Sequence, residues 1–75
     1  MKLPAVSGKE VIKALEKEGF FVVSQKGSHV KLRKDENASV TTVIVPNHKT
    51  IKTGTLKAIL RQASIEPKRF LEVIK

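Results

Sequence analysis

The apolar residues near the start of the chain recur with a helical period. Val11 and Leu15 share one arc of a helical wheel, and the opposite arc is rich in lysine. Ser7 and Glu10 have the spacing of a capping box, in which each side chain satisfies a backbone N–H group at the helix start. The pattern therefore predicts a helix that begins near Ser7 and ends at about Gly19, a residue type that often follows the last helical turn.

The middle of the chain predicts three β-strands, because it is rich in β-branched residues and is divided by turn-forming ones. We expect the strands at residues 20–25, 28–33 and 40–45. The turns between them are expected at Lys26-Gly27 and at residues 34–39. Connections this short join neighbouring antiparallel strands, so the sequence predicts an antiparallel meander.

The clearest alternation of apolar and polar residues lies in the second predicted strand. Val30 and Leu32 point to one face of the strand. His29, Lys31 and Arg33 point to the other face. An antiparallel sheet commonly packs one face against the core and leaves the other in water. We therefore expect the histidine and its two basic neighbours on an open sheet face.

Apolar residues return at helical spacing after the polar loop that follows Pro46. The sequence thus predicts a second helix that starts between Thr53 and Thr55. Pro67 suits the first turn of a short terminal helix. The predicted fold is α+β, in the order α-β-β-β-α with a short C-terminal helix, and its helices cover one face of a three-stranded antiparallel sheet. A chain of 75 residues has room for one core, so residues 1–75 are expected to form a single domain.

The composition of the chain indicates which kinds of partner it could bind. Lys and Arg total 15 against 7 Asp and Glu, so the net charge is +8, which favours nucleic acid, an anionic membrane or an acidic protein. The chain has no Cys, which excludes disulfides, thiolate zinc sites and cysteine nucleophiles. No stretch has the apolar length of a membrane span or of a signal peptide, so a cytoplasmic location without membrane contact is expected.

The aromatic residues are few, which argues against an RNA-binding protein that recognises bases by stacking them on rows of aromatic rings. There is no Trp or Tyr, and the three Phe residues include the neighbours Phe20 and Phe21. Adjacent residues on a regular strand point to opposite faces. One of the two rings is therefore expected in the core, and the other is expected to stay exposed as a base platform or a partner contact.

The ionisable side chains favour metal-free chemistry on RNA. The carboxylates are scattered along the chain, and two histidines without cysteine make a poor zinc site, so no metal and no cofactor are expected. RNA carries its own nucleophile, the 2′-hydroxyl, and a protein need only move protons and stabilise charge. His29, with Lys31 and Arg33 near it in space, supplies both functions, since cations near it favour the neutral imidazole that can act as a base. The alternative is a solvated strand histidine without a catalytic role.

Other polar residues of the turn and of the later loop are candidates for RNA contact. Gly27 either lets a phosphate approach the backbone or serves only the turn. His48 is a second acid or base, a phosphate donor, or an ordinary loop residue, and the residues after it lead into a helix N-terminus that attracts phosphates. The predicted RNA-binding residues are Lys26, Gly27, Ser28, Lys31, Arg33, His48, Lys49 and Lys52.

Several stretches, taken in their order and spacing, resemble the HicA toxin family, also called the YcfA-like family. The best-marked stretch is Lys26-Gly27-Ser28-His29, which looks like the family's Gly-Ser-His motif. The others are Ser7-Gly8-Lys9-Glu10-Val11, Val45-Pro46-Asn47-His48, Lys52-Thr53-Gly54-Thr55-Leu56 and Ile59-Leu60-Arg61-Gln62-Ala63. The chain departs from the usual family pattern at Lys49 and Ser64, where many members carry glycine.

The resemblance implies a fold, an activity and a partner. The fold is like that of a double-stranded-RNA-binding domain, and the activity is ribosome-independent endoribonuclease cleavage of mRNA without a bound metal. The catalytic histidine of the family motif falls on His29. The implied partner is a HicB antitoxin that covers the His29 face. The group that protonates the leaving oxygen stays open between His48, a lysine and water.

Two other classes of function remain as alternatives. A non-catalytic RNA-binding module would share the charge and the element order, and its RNA binding would weaken with salt. An interaction protein would use its basic surface only for an acidic partner and would have little affinity for RNA.

Overall fold

The computed structural model describes residues 3–74 of the chain. Its strands form one antiparallel sheet in the order β1-β2-β3, and the helices lie against one face of that sheet. This arrangement confirms the predicted α+β fold of double-stranded-RNA-binding type. The elements are α1 (Gly8–Lys17), β1 (Phe21–Lys26), β2 (His29–Glu36), β3 (Ser39–Pro46), α2 (Thr53–Gln62) and α3 (Pro67–Val73).

The first helix forms as its local sequence predicts. The Ser7 amide donates to Glu10 Oε1 at 2.9 Å, and the Glu10 amide donates to Ser7 Oγ at 3.1 Å, which completes the capping box. The helix ends at Lys17, and Gly19 follows with a φ of +100°, a conformation that favours glycine.

The first hairpin differs from the prediction at both of its boundaries. Phe20 lies outside β1 because its amide donates to the Leu15 carbonyl oxygen at 3.0 Å, which closes the end of α1. The predicted turn at Lys26-Gly27 is wrong, since Lys26 belongs to β1 and pairs with His29. The two-residue turn is Gly27-Ser28, with a φ of +60° at Gly27.

The second hairpin is longer than the sequence suggests. The predicted turn at residues 34–39 is wrong, because β2 continues to Glu36 and pairs it with Ser39 at the start of β3. Only Asn37 and Ala38 form the turn, and Asn37 takes a φ of +56°. The ladder of paired backbone groups therefore outweighs the low strand propensity of the acidic residues at this end of β2.

The hydrophobic core lies between the helices and the covered face of the sheet. It receives Val30 and Leu32 from β2, and these residues are 3% and 0% exposed. Phe20 is also buried at 4%. The fully buried large side chains are Val11, Leu15, Leu32, Val43, Val45, Leu56, Leu60 and Phe70.

The short helix α3 closes one end of this core. Phe70 and Val73 face inward, and Arg69 reaches across to Glu18 at the end of α1. The Arg69 guanidinium donates to both carboxylate oxygens of Glu18, at 3.1 and 2.9 Å. Lys17 Nζ also donates to the Val73 carbonyl oxygen at 3.2 Å, so the C-terminal end of α1 is joined to α3 at two points.

Strand β1 forms an edge of the sheet and is exposed along its whole length. A bulge at Val23 breaks its register with β2. Phe21, Val22 and Val23 remain 44–45% exposed, so apolar side chains line this edge. Among residues 3–74, no helix has the length and apolar character needed to cross a membrane.

Candidate active site

The Gly27-Ser28 turn places the predicted motif at one end of the sheet. His29 starts β2 immediately after the turn, and its direct cross-strand neighbour on β1 is Lys26. A Cβ atom added at Gly27 would meet no other atom of residues 3–74 within 4 Å, so the backbone of the turn is open to an incoming group. Gln25 supports the turn, since its side-chain amide donates to the Gly27 carbonyl oxygen at 3.1 Å.

The open face of the sheet carries His29 and Lys31, as the alternation predicts. Both side chains are exposed, whereas Val30 and Leu32 between and beside them are buried. A depression of about 460 Å³ forms there at the hairpin end. It is lined by Ser24, Lys26, His29, Lys31 and Ile44. The structure thus brings one imidazole and two ammonium groups into one concave site.

Arg33 lies further along β2 and has a different environment. Its Nε donates to Asp35 Oδ1 at 2.7 Å, and a terminal nitrogen donates to Asp35 Oδ2 at 3.2 Å. This hydrogen bonding, together with the negative charge, raises the pKa of Arg33 above its ordinary value. Arg33 therefore shares the open face with His29, but it does not line the depression, and Asp35 offsets its charge.

The loop after β3 brings His48 to the Gly27-Ser28 turn. The backbone N–H of Asn47 donates to the Ser28 carbonyl oxygen at 2.6 Å. The Ser28 hydroxyl lies 3.4 Å from His48 Nε2, a long hydrogen bond whose donor depends on the histidine tautomer. The two predicted segments, far apart in sequence, therefore meet at one end of the sheet.

Gly8 at the start of α1 fixes the backbone of the same loop. Its amide donates to the His48 carbonyl oxygen at 2.8 Å. A Cβ atom at Gly8 would press against the Pro46 carbonyl oxygen and would lie 2.7 Å from the Asn47 Cα. Only glycine allows this approach, so the first residue of α1 is part of the framework of the site.

A second depression, of about 280 Å³, lies beside His48. It is lined by Pro46, His48, Thr50, Ile51, Lys52 and Thr55. Helix α2 begins here without a side-chain cap and without an acidic residue in its first turn, so the region is electropositive. Lys52 belongs to this depression, whereas Lys49 is exposed and lines neither depression.

The open face also carries apolar groups beside its cations. Phe21 pairs with Arg33 and is 45% exposed, and Ile44 pairs with Lys31 and is 49% exposed. Phe20 is buried, which confirms that the two neighbouring rings separate between core and surface.

The structure also adds site residues that the sequence analysis missed. Ser24 and Ile44 line the first depression, Asp35 engages Arg33, and Gly8 holds the His48 loop. Ser24, Ile44 and Gly8 depend on contacts between separate segments, for which the sequence carries no local signal, whereas Asp35 lies two residues from Arg33 on the same strand.

Within residues 3–74, no three His, Asp or Glu side chains are grouped so that they could hold a metal ion. The carboxylates of β2 belong to Asp35 and Glu36, at the end of the strand remote from the turn, and both are ion-paired. The ionisable groups at the hairpin end are therefore imidazoles and amines, which transfer protons and stabilise negative charge.

Fold and site together define a small basic domain of double-stranded-RNA-binding type with a histidine among lysines on its open sheet face. A family model described as HicA toxin of bacterial toxin-antitoxin matches residues 8–65. The chain belongs to the HicA toxin family. This membership makes it the toxin component of a toxin–antitoxin module and implies an antitoxin partner. Comparison with curated proteins and with solved structures gave no match.

Proposed function

We propose that this toxin is a cytoplasmic endoribonuclease that cleaves mRNA without a metal ion, with His29 as the general base. The observation that carries the proposal is the depression in which exposed His29 stands between Lys26 and Lys31. A base must be able to reach the substrate, and His29 lies on an open face with space in front of it. The absence of a metal-binding group of side chains within residues 3–74 is consistent with this chemistry.

The proposed reaction is a transesterification within the RNA. His29 accepts the proton of a 2′-hydroxyl, and the 2′-oxygen forms a bond to the adjacent phosphorus while the bond from phosphorus to the 5′-oxygen breaks. The departing 5′-oxygen takes a proton from His48, a lysine or water, so the products are a 2′,3′-cyclic phosphate and a 5′-hydroxyl. Lys26 and Lys31 stabilise the negative charge that grows on the phosphate oxygens. DNA lacks the 2′-hydroxyl and would not be cleaved.

The surrounding residues would bind the RNA backbone. Pro46 lines the depression beside His48 and pairs with His29, which lines the other depression, so one RNA strand could place successive phosphates in the two. Asp35 weakens the contribution of Arg33 relative to that of Lys31. The proposed RNA contacts are Lys26, Gly27, Ser28, Lys31, Arg33, His48, Lys49 and Lys52.

The same face is the proposed contact for a HicB-type antitoxin. Exposed Phe21 and Ile44 lie there among cations, a combination that suits an acidic partner with apolar side chains. An antitoxin bound over His29 would exclude RNA. RNA and antitoxin should therefore compete, and simultaneous binding with undiminished cleavage would contradict the shared face.

The test is a cleavage assay in excess EDTA with a long single-stranded RNA. Wild type, His29→Ala and the matched control Thr42→Ala are compared after circular dichroism has established equal folding. Thr42 lies on the same open face but outside both depressions. We expect wild type and Thr42→Ala to release 2′,3′-cyclic phosphate ends and His29→Ala to lose activity by at least about 100-fold.

Two results would overturn the proposal. An equally active His29→Ala protein would show that His29 takes no part in the reaction. Intact RNA with folded wild type, together with salt-sensitive RNA binding, would instead identify a non-catalytic RNA-binding module. Expression of each variant in cells then shows whether growth arrest follows cleavage.

A further inference from the structure

We infer that His48 is the second proton-transfer residue of the reaction, the group that protonates the departing 5′-oxygen. The inference rests on the proposed function and assigns the step that a single histidine leaves open. An alkoxide is a poor leaving group, so a positioned acid contributes typically about 100-fold to 10,000-fold to such a step.

The topology brings both histidines to the same end of the sheet. His29 pairs directly with Pro46 on β3, and paired residues of antiparallel strands have Cα atoms about 5 Å apart. His48 follows Pro46 by two residues, which span at most about 7 Å. The two Cα atoms therefore lie within about 12 Å of each other. Two imidazole rings at this separation can approach one phosphodiester that lies over the turn.

The contact of His48 with Ser28 suits a residue that changes its protonation state. Ser28 Oγ lies 3.4 Å from His48 Nε2. The Ser28 hydroxyl can accept a hydrogen bond from Nε2–H of the imidazolium. If the proton leaves from Nδ1, the neutral ring keeps its Nε2–H, so the same partner serves His48 before and after it gives up its proton. With Nε2 held at Ser28, Nδ1 is the ring nitrogen available to the leaving oxygen.

The loop that carries His48 is exposed, yet its backbone is fixed. The His48 amide donates to the Pro46 carbonyl oxygen at 2.9 Å, and its carbonyl oxygen accepts from the Gly8 amide at 2.8 Å. The Asn47 amide donates to the Ser28 carbonyl oxygen at 2.6 Å. Such a loop holds its side chain in place before the substrate arrives, which is what a catalytic group requires.

Gly8 is accordingly a positioning residue that acts through His48. It lies on α1, away from both depressions, and its missing side chain is what allows the loop to approach. In Gly8→Ala the new methyl group would meet the Pro46 carbonyl oxygen and the Asn47 Cα. These are backbone atoms, so the loop must move, and His48 must move with it.

The proton balance of the complete step is simple. His29 takes the proton from the 2′-hydroxyl, and imidazolium His48 gives one to the 5′-oxygen as its bond to phosphorus breaks. The RNA gains no net proton, and no co-reactant is consumed. Exchange of protons with water returns both histidines to their starting states.

The test uses a substrate that does not need the acid. In an oligonucleotide with sulfur in place of the bridging 5′-oxygen at one position, the leaving group is a thiolate, which departs without protonation because thiols are far stronger acids than alcohols. For His48→Ala we expect cleavage of the oxygen substrate to fall by at least about 100-fold and cleavage of the sulfur substrate by less than about tenfold. His29→Ala should slow both substrates alike.

Two further variants distinguish the effect of moving His48 from the effect of removing its imidazole. Asn47→Ala is the matched control, since it alters the same loop but keeps the backbone hydrogen bonds, and it should leave both rates unchanged. Gly8→Ala should show the oxygen-selective loss of His48→Ala, because it displaces the acid without removing it. If Gly8→Ala does not fold, His48→Ala decides alone, since the exposed His48 side chain can be removed without opening the core.

The outcomes distinguish this inference from the proposed function. An equal loss on both substrates would make His48 a binding residue, and no loss on the oxygen substrate would exclude it from the reaction. Either result overturns the inference while His29 keeps its role. Inactivity of folded wild type on both substrates would overturn the proposed function and this inference together.

Discussion

Arg33 and Asp35, two residues apart on the open face of β2, form a two-pronged ion pair with distances of 2.7 and 3.2 Å. The pair offsets a cation at the end of the face that is remote from the Gly27-Ser28 turn. The positive charge of this face is therefore concentrated at the turn, where Lys26 and Lys31 flank His29. An anionic strand is attracted most strongly to the end of the sheet that carries the proposed chemistry.

Asp35→Asn should strengthen RNA binding, because it removes a negative charge and releases Arg33 for a phosphate. With one added phosphate contact, we expect the plot of log affinity against log salt to steepen by about 0.7 for single-stranded RNA. Fluorescence anisotropy of a labelled RNA with 2′-O-methyl groups, which cannot be cleaved by 2′-hydroxyl attack, measures both quantities over a range of salt concentrations.

Two basic residues that precede Asp35 on β2 serve as controls. Lys31→Ala should weaken binding and make the salt dependence shallower by about 0.7, whereas Arg33→Ala should have the smaller effect. An Asp35→Asn protein with unchanged affinity and slope would show that Arg33 makes no phosphate contact even when it is released.

Gly27→Asn should keep the fold and lose cleavage. Asn37 occupies the equivalent first position of the other two-residue turn at a φ of +56°, close to the +60° of Gly27. Asparagine tolerates this conformation, so we expect a loss of stability below about 1 kcal/mol. Its side chain would enter the open space beside the turn, where we expect it to obstruct an approaching phosphate.

Urea unfolding and the EDTA cleavage assay together check this prediction. Asn37→Gly, the reverse exchange in the remote turn, should leave cleavage unchanged and serves as the matched control. A stable Gly27→Asn protein with full activity would mean that Gly27 serves the turn alone.

Ser64→Gly should stabilise the protein. Helix α2 is followed by Ser64 at a φ of +58°, where a side chain is strained and glycine is not. Relief of this strain should add about 1 kcal/mol to the free energy of unfolding, which raises the Tm of so small a domain by about 4–8 °C. Thermal unfolding followed by circular dichroism measures the shift.

The matched control is Ser39→Gly, the same exchange in a strand. Ser39 lies at the start of β3 and pairs with Glu36, so glycine there gains nothing from relief of strain and should lower Tm. Equal shifts for the two variants would indicate that the conformation of Ser64 does not set its contribution.

The Glu18–Arg69 ion pair should make stability depend on pH in the acid range. The hydrogen bonds from Arg69 lower the pKa of Glu18, and partial burial opposes them without reversing the direction. A carboxyl group whose pKa is lower in the folded state stabilises that state above its unfolded pKa, and the contribution disappears as pH falls through the folded pKa.

Glu18→Gln should therefore lower Tm slightly at pH 7 and have no effect well below the folded pKa of Glu18. Thermal unfolding of both proteins between pH 2 and 7 gives the difference as a function of pH, with Glu16→Gln, in the last turn of α1, as a control. A constant difference across the range would mean that the loss comes from packing rather than from charge.

The elements that form from local signals could be predicted from the sequence. The capping box at Ser7, the glycine after α1 and the proline at the start of α3 act within a few residues, so their outcome does not depend on the rest of the fold. The alternation in β2 likewise places His29 and Lys31 on the open face.

The remaining features depend on contacts between distant segments. The limits of the hairpins follow from cross-strand pairing, which extends β2 through acidic residues that favour turns when read alone. The approach of Gly8 to the His48 loop joins residues 40 positions apart, and glycine at a helix start has no distinctive sequence signal. Arg33 and Asp35 are close in sequence. Whether their side chains pair or extend separately into solvent depends on the exposed strand that carries them.

The positive charge of the protein also affects association through the exposed edge strand β1. Its outer edge pairs with no other strand among residues 3–74 and carries Phe21, Val22 and Val23, each close to half exposed, so it can add a strand from a neighbouring molecule. At a net charge of +8, two such molecules repel each other. Concentrated salt shortens the range of that repulsion to about 3 Å at 1 M and leaves the edges free to associate. The charge that is proposed to attract RNA thus also acts as colloidal protection against edge-to-edge aggregation.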